Sequence, residues 1–162
     1  MRLQHMIVVV DNGTGNVGSV ANMVKRAGGA VCVSADEDVI ERAEKLILPG
    51  VGSFDTCISH LKAASFFEAL EQKVLSDQVP FLGICVGMQM LFESSEEGNV
   101  AGLGWLKGEV KKFEPNAKSG GKMKVPHMGW NVVRATKPSP LFCFNEPENR
   151  FYFVHSYYAA CR

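Results

Sequence analysis

Four short apolar runs in the first half of the chain constrain its fold more than anything else in the sequence. In Met6-Ile7-Val8-Val9-Val10 consecutive positions are all apolar, so a strand there carries apolar side chains on both faces. Only a sheet covered on both sides tolerates that, which is the signature of a buried parallel sheet. Ala30 to Val33, Lys45 to Leu48 and Phe81 to Ile84 are the other three runs, Lys45 to Leu48 stopped by Pro49-Gly50 and Phe81 to Ile84 read as buried. The intervening stretches have helical spacing. Asn16 is placed to cap a helix in which Val17, Val20, Ala21, Val24 and Ala27 make one stripe, and Gly28-Gly29 ends it. Asp36 to Arg42 predicts a short helix, and a helical region in two pieces runs after Gly52 through Leu61, Phe66, Phe67, Leu70 and Val74. Strand–helix units of this length predict an α/β fold of three layers with a parallel sheet, its ligand chemistry gathered at the carboxyl ends of the strands. The 162 residues are read as a single domain, 1–162, with no internal repeat and no linker long enough to divide it.

The second half changes character. Leu106 to Phe113, Met123 to Pro126, Asn131 to Ala135 and Phe151 to Tyr157 are strand candidates separated by glycine and proline, and Asn116 to Lys122 reads as a polar turn. The aromatic residues Phe142, Phe144, Phe151, Tyr152, Phe153, Tyr157 and Tyr158 read mainly as core or interface, with Trp130, Tyr157 and Tyr158 also suited to a subunit contact.

Chemistry concentrates where the fourth run meets its helix. In Gly83-Ile84-Cys85-Val86-Gly87-Met88-Gln89 the period switches from strand to helix at the cysteine, and a glycine stands two residues to either side. A sharp strand-to-helix turn needs that absence of side chains. Such a turn lifts the Cys85 thiol clear of the backbone and aims helix N–H groups at it, which favours thiolate. A small buried hydrophobe is the alternative role of a free cysteine. A thiolate attacking a carbonyl needs N–H donors for the oxyanion. The Val86 amide, next after the nucleophile, is the natural first donor, and Val51 in the Pro49-Gly50-Val51-Gly52 loop is a candidate second. For the general base, His5 lies at the wrong end of the sheet and His60 in a surface helix pattern. His127 and His155 stay open, and no carboxylate has a compelling claim to orient either of them.

Other classes are disfavoured. Lys plus Arg and Asp plus Glu both number 17, so nothing asks for a nucleic-acid partner. The basic spots Lys107 to Lys112 and Lys118 to Lys124 are short and interrupted. Asp11-Asn12-Gly13-Thr14-Gly15-Asn16 looks like a weak phosphate loop, but it lacks the GxGxxG order and any P-loop lysine. The five cysteines are odd in number and include no CxxC pair, which argues against a disulfide scaffold or structural zinc and suits a reducing cytosol. No metal or cofactor is expected. The apolar run at Met6 to Val10 is far too short for a membrane span, and no signal peptide precedes it.

Taken together, Gly83 to Gln89, Leu48-Pro49-Gly50-Val51-Gly52-Ser53-Phe54, Pro126-His127-Met128-Gly129-Trp130-Asn131 and Tyr152-Phe153-Val154-His155-Ser156-Tyr157 resemble the motifs of class I glutamine amidotransferases, in the family's order. The resemblance runs from about Ile7 to the last residue, and it is to the glutaminase subunits of histidine biosynthesis in particular. It implies a three-layer, flavodoxin-like fold with a mainly parallel sheet. It also implies hydrolysis of L-glutamine to glutamate and ammonia through a Cys85 thioester, the ammonia passing through a channel to a HisF-like (β/α)8-barrel cyclase subunit. Val51 and Val86 match the oxyanion hole. Gly50, Gly52, Gln89, Glu97 and Ser156 match positions that hold glutamine. Asn12, Asn16, His127, Trp130 and Asn131 match surfaces near the barrel. Paralogues that supply ammonia for an amidine on a surface-polysaccharide sugar are the alternative pathway, and a catalytically weak binding subunit the alternative role. The family's catalytic histidine and glutamate stand in a His-Pro-Glu segment that these 162 residues do not contain, and His155 is not that histidine. The expectation is therefore of a chain truncated at its C-terminus, missing the last elements of the fold and poorly active by itself.

Overall fold

In the computed structural model, residues 6–114, 124–138 and 149–162 are described. They fall into two compact units, Met1–Lys111 with Ala159–Arg162, and Lys112–Tyr158. The expected turn at Asn116 to Lys122, the residues His5, Phe142 and Phe144, and part of the Met123 to Pro126 candidate lie outside the described residues.

The larger unit alternates strands and helices in the order β1 (Ile7–Val10), α1 (Val17–Arg26), β2 (Val31–Ser34), α2 (Glu37–Glu41), β3 (Lys45–Gly50), α3 (Phe54–Ala63), α4 (Phe67–Glu71), β4 (Phe81–Cys85) and α5 (Val86–Gln89). One π turn, Gln72–Ser76, continues α4. β1 to β4 form one parallel sheet in the order β2-β1-β3-β4. The step from β1 to β2 runs one way across the sheet, and the steps to β3 and β4 run the other. Right-handed crossovers then put α1 on one face and α2 to α4 on the opposite one. On the second face Val8, Val10, Leu46 and Leu48 pack in a single buried cluster with Ile40, Phe54, Ile58, Leu61 and Leu70. Val9 and Ile47, the alternate positions of the same strands, are buried on the first face. Asn16 caps α1 as its sequence predicts, its side-chain oxygen accepting the Ser19 N–H at 3.2 Å.

Two expectations need correction. Pro49-Gly50 does not stop the third strand. β3 runs through both residues and pairs Pro49 with Ile84 and Gly50 with Cys85. The missing proline N–H costs nothing there, because pairing with β1 ends at Ile47 and that side of the strand is free of ladder bonds. Nor is β4 fully buried: Leu82 and Ile84 share one face and are 41% and 36% exposed, whereas Phe81 on the other face packs edge-on against Trp105. The ladder of β4 is with β3 alone among the described residues.

A three-stranded sheet in the order β5-β6-β9 joins Ser94–Ser95, Gly108–Lys112 and Tyr157–Cys161. The smaller unit is built on an antiparallel pair, β7 (His127–Val133) and β8 (Asn149–His155). The Phe151-to-Tyr157 run is therefore two strands, broken at Ser156, and the candidate at Asn131 to Ala135 begins four residues earlier, at His127.

Candidate functional site

The reversal of strand order between β1 and β3 opens a crevice at their carboxyl ends, the place where α/β sheets bind ligands. Three loops meet there. After β1, the Thr14 carbonyl accepts the Val51 N–H at 2.6 Å, and a methyl group added to Gly15 would lie 2.9 Å from Pro49 Cγ. After β3, Gly50 lies beside Cys85 in register, so close that a Cβ on Gly50 would stand 2.5 Å from the Gly87 nitrogen. The approach is equally tight around the cysteine. A Cβ on Gly83 would meet Met88 Cα at 2.5 Å, and one on Gly87 would meet the Leu48 carbonyl oxygen at 2.0 Å. The two flanking glycines thus let β3, β4 and the first turn of α5 share one small volume.

Cys85 itself has φ +56° and ψ −121°. A residue with a side chain avoids that backbone region, and holding it there costs about 1–3 kcal/mol. The surrounding strand pair and turn over-determine it. The result is an exposed thiol at the tip of the elbow, with α5 beginning at Val86, whose N–H stands at the helix start where no intrahelical acceptor exists.

The loop carrying Val51 is pinned from two sides. Its N–H goes to Thr14 and its carbonyl accepts the Cys57 thiol at 3.4 Å. Cys57 is wholly buried in α3, and burial first of all, then the negative charge of Glu97 and the nearby Cys85, pushes its thiol pKa up, against the pull of Thr14. It therefore remains a protonated donor. Gly52, at φ +114°, takes the left-handed conformation that turns the chain into α3.

Glu97 belongs to the same neighbourhood. Its carboxylate accepts the Phe54 N–H at 3.0 Å, beside the Ser53 cap, so it closes the start of α3. Asp55 fastens the same loop from the helix side, accepting the Asn99 N–H at 3.0 Å and the Val100 N–H at 3.1 Å. Asp55→Ala removes a charged acceptor from two backbone donors and is expected to cost about 2 kcal/mol of unfolding free energy. Thermal unfolding of the variant beside the unchanged chain would check this. Gln89 is buried in α5. Asn12 is buried too, its side-chain oxygen accepting the Thr14 N–H and its Nδ2 without a partner among the described residues, while Asn16 is exposed at its cap.

The smaller unit carries the remaining sequence-predicted residues, His127, Trp130, Asn131 and Ser156. The two open base candidates, His127 and His155, face each other across the β7–β8 ladder with Nδ1 and Nε2 2.8 Å apart. Met128, Trp130 and Val132 share one face of that ladder with Tyr152 and Val154, and Trp130 is 69% exposed. Sequence reasoning missed Thr14, Cys57 and Asp55. Asp55 had a detectable signal, a carboxylate in the first turn of a helix. The other two had none.

A family model described as class-I glutamine amidotransferase matches residues 8–161. The chain is 45% identical over 156 residues to imidazole glycerol phosphate synthase subunit HisH 2 of Methanococcus maripaludis, covering 96% of this chain and 75% of that one. It is 46% identical over 157 residues to subunit HisH of Bdellovibrio bacteriovorus, covering 97% and 76%. Among solved structures, one titled as a glutamine amidotransferase superposes with a TM-score of 0.62 at 18% identity, over 91% of this chain and 70% of the other. That likeness speaks for the fold, a central mostly parallel sheet flanked by helices.

Proposed function

The chain belongs to the class-I glutamine amidotransferase family, and from that premise we propose that it is the glutaminase subunit of imidazole glycerol phosphate synthase, with Cys85 as its nucleophile. The observation that carries the assignment is the strained, exposed Cys85 elbow lying in register with Gly50. In this reading Cys85 Sγ attacks the side-chain carbonyl carbon of L-glutamine. The oxyanion is received by the N–H groups of Val86 and Val51, ammonia leaves, and a γ-glutamyl thioester remains. Water then cleaves the thioester, releasing glutamate and restoring the thiol. Gly50, Gly52, Gln89, Glu97 and Ser156 hold the glutamine. The ammonia goes to the (β/α)8-barrel cyclase HisF. At neutral pH free ammonia is mostly ammonium and not nucleophilic, so a closed route to the acceptor keeps it reactive. Asn12, Asn16, His127, Trp130 and Asn131 are the residues proposed to contact the barrel. No helix among the described residues is long and apolar enough to cross a membrane.

The Val51 N–H now donates to Thr14 at 2.6 Å, so it serves the oxyanion only after the Gly50–Val51 peptide turns. Partner binding is the proposed trigger for that turn. Adding the cyclase subunit is expected to raise glutamine hydrolysis about 100-fold, and equal rates with and without it would overturn the trigger. The assignment itself is tested by intact mass after exposure to a diazo-ketone analogue of glutamine. One adduct that requires Cys85 supports it. Labelling that persists in Cys85→Ala refutes it.

A further inference from the structure

The histidine pair of the smaller unit forms a hydrogen-bonded series in which every proton has only one place to be. His155 Nδ1 lies 2.7 Å from the Tyr157 carbonyl oxygen. A carbonyl can only accept, so this nitrogen carries a hydrogen. In the neutral ring the other nitrogen, Nε2, is then bare and accepts, and the donor facing it at 2.8 Å is His127 Nδ1–H. His127 Nε2 is bare in turn and faces the Asn131 side-chain NH2 at 2.5 Å. The series Asn131 → His127 → His155 → Tyr157 carbonyl is complete, with no donor opposed to a donor and no charge to bury.

The rings are held by their surroundings. Phe113 meets His155 edge-on with ring centroids 5.0 Å apart, and Phe153 stacks on His127 at 4.9 Å. The series ends on the main chain beside Ser156, whose own carbonyl accepts the Phe113 N–H at 3.0 Å. Ser156 is the single residue between β8 and β9. One hydrogen bond therefore fixes the carbonyl of that residue and another fixes the carbonyl of the next.

We propose that His127 and His155 are positioning residues, a tautomer-locked relay that holds the Ser156 turn in shape for glutamine and ties it to Asn131. The glutamine part rests on the glutaminase reading above. The relay itself does not, and the two can be tested apart. Neutral histidine side chains in water favour the Nε2–H tautomer, so two adjacent Nδ1–H rings are a distinctive signature. Ring-nitrogen NMR on 15N-histidine-labelled protein in complex with its barrel subunit, at pH about 8 where imidazole is neutral, is expected to show His127 and His155 both protonated at Nδ1. An Nε2–H ring at either position overturns the relay, whatever the protein catalyses.

Kinetics of the same complex test its purpose. His155→Asn keeps an amide donor close to the place of Nδ1, whereas His155→Leu keeps only bulk. The Leu variant is expected to raise the KM for glutamine about tenfold with kcat changed less than about twofold, and the Asn variant to restore most of the KM. Equal KM values in the two variants would reduce the histidine to packing and overturn the positioning role.

Discussion

Replacing Cys85 by alanine is expected to abolish glutamine hydrolysis and leave the fold standing. Losing a nucleophile that forms a covalent intermediate typically costs roughly 10⁴–10⁶-fold in kcat, because the remaining groups can stabilise a transition state that no longer has an attacking atom. The thiol is exposed and packs no core, so its removal opens no cavity. The strain at φ +56° stays, since alanine carries the same Cβ and resists the same backbone region. Cys85→Ala should therefore unfold near the temperature of the unchanged chain while releasing no ammonia in a coupled assay with the cyclase present. Cys85→Gly sharpens the comparison: it is equally inactive but relieves the backbone strain, offset by the entropy of a glycine in the unfolded chain. Turnover by either variant at more than about a hundredth of the normal rate would show that another group attacks glutamine, and would sink the mechanism.

Much of this site is legible in the sequence because it is made of backbone constraints, and backbone constraints leave residue signatures. Two glycines around Cys85 and a switch of period mark a turn, and the structure shows what each glycine avoids, the Met88 backbone at Gly83 and the Leu48 carbonyl at Gly87. The continuous apolar run of β1 marks a strand covered on both faces, as Val8, Val9 and Val10 are, whereas the equally apolar β4 leaves Leu82 and Ile84 exposed. Strand order leaves no such mark. Nothing in the composition says that β1 sits between β2 and β3, and it is this order that makes the crevice. Pro49-Gly50 misleads for a related reason: a proline breaks a strand only where the neighbour on its nitrogen side needs an N–H, and here that side is already free of ladder bonds. Likewise the aromatic run at Phe151 to Tyr157 has the propensity of one strand throughout. At its break the Ser156 carbonyl accepts a tertiary bond from the Phe113 N–H that no local pattern encodes.

The same distinction explains Cys57. Its spacing in α3 is that of any core residue, and it is fully buried there. Only the assembled loop shows that its thiol donates to the carbonyl of Val51, while Thr14 takes the N–H of the same residue. The Val51 residue itself is held by a thiol and one main-chain carbonyl, and its side chain is 62% exposed. A turn of that peptide breaks one good hydrogen bond, worth about 1 kcal/mol net, and disturbs no core. That is the energetic scale on which a binding partner can act.

Gly87→Ala is expected to be among the most damaging single-methyl additions the larger unit can receive. The new Cβ would stand 2.0 Å from the Leu48 carbonyl oxygen and 3.1 Å from the Pro49 carbonyl carbon, both in the backbone of β3. No rotamer change relieves a clash between a Cβ and a main chain, so β3 and the first turn of α5 must part. Overpacking of this kind costs about 3 kcal/mol, which in a chain of this size lowers the melting temperature by roughly 6–12 °C. The functional cost is separate and larger in effect. Gly50 pairs with Cys85 in the ladder, so separating the two elements moves the proposed oxyanion donors, the Val51 and Val86 N–H groups, relative to the thiol, and a displacement near 1 Å costs about 10²-fold in rate. Gly18→Ala is the control. Gly18 lies inside α1 with nothing within 4 Å of an added Cβ. Alanine there should stabilise the helix by about 0.5–1 kcal/mol and leave turnover unchanged. Opposite signs of the two melting shifts, with activity lost only in Gly87→Ala, would establish that the glycine beside the elbow is there for close approach and not for flexibility. A Gly87→Ala protein that melts and turns over glutamine like the unchanged chain would mean that β3 and α5 are not packed as tightly as the elbow requires.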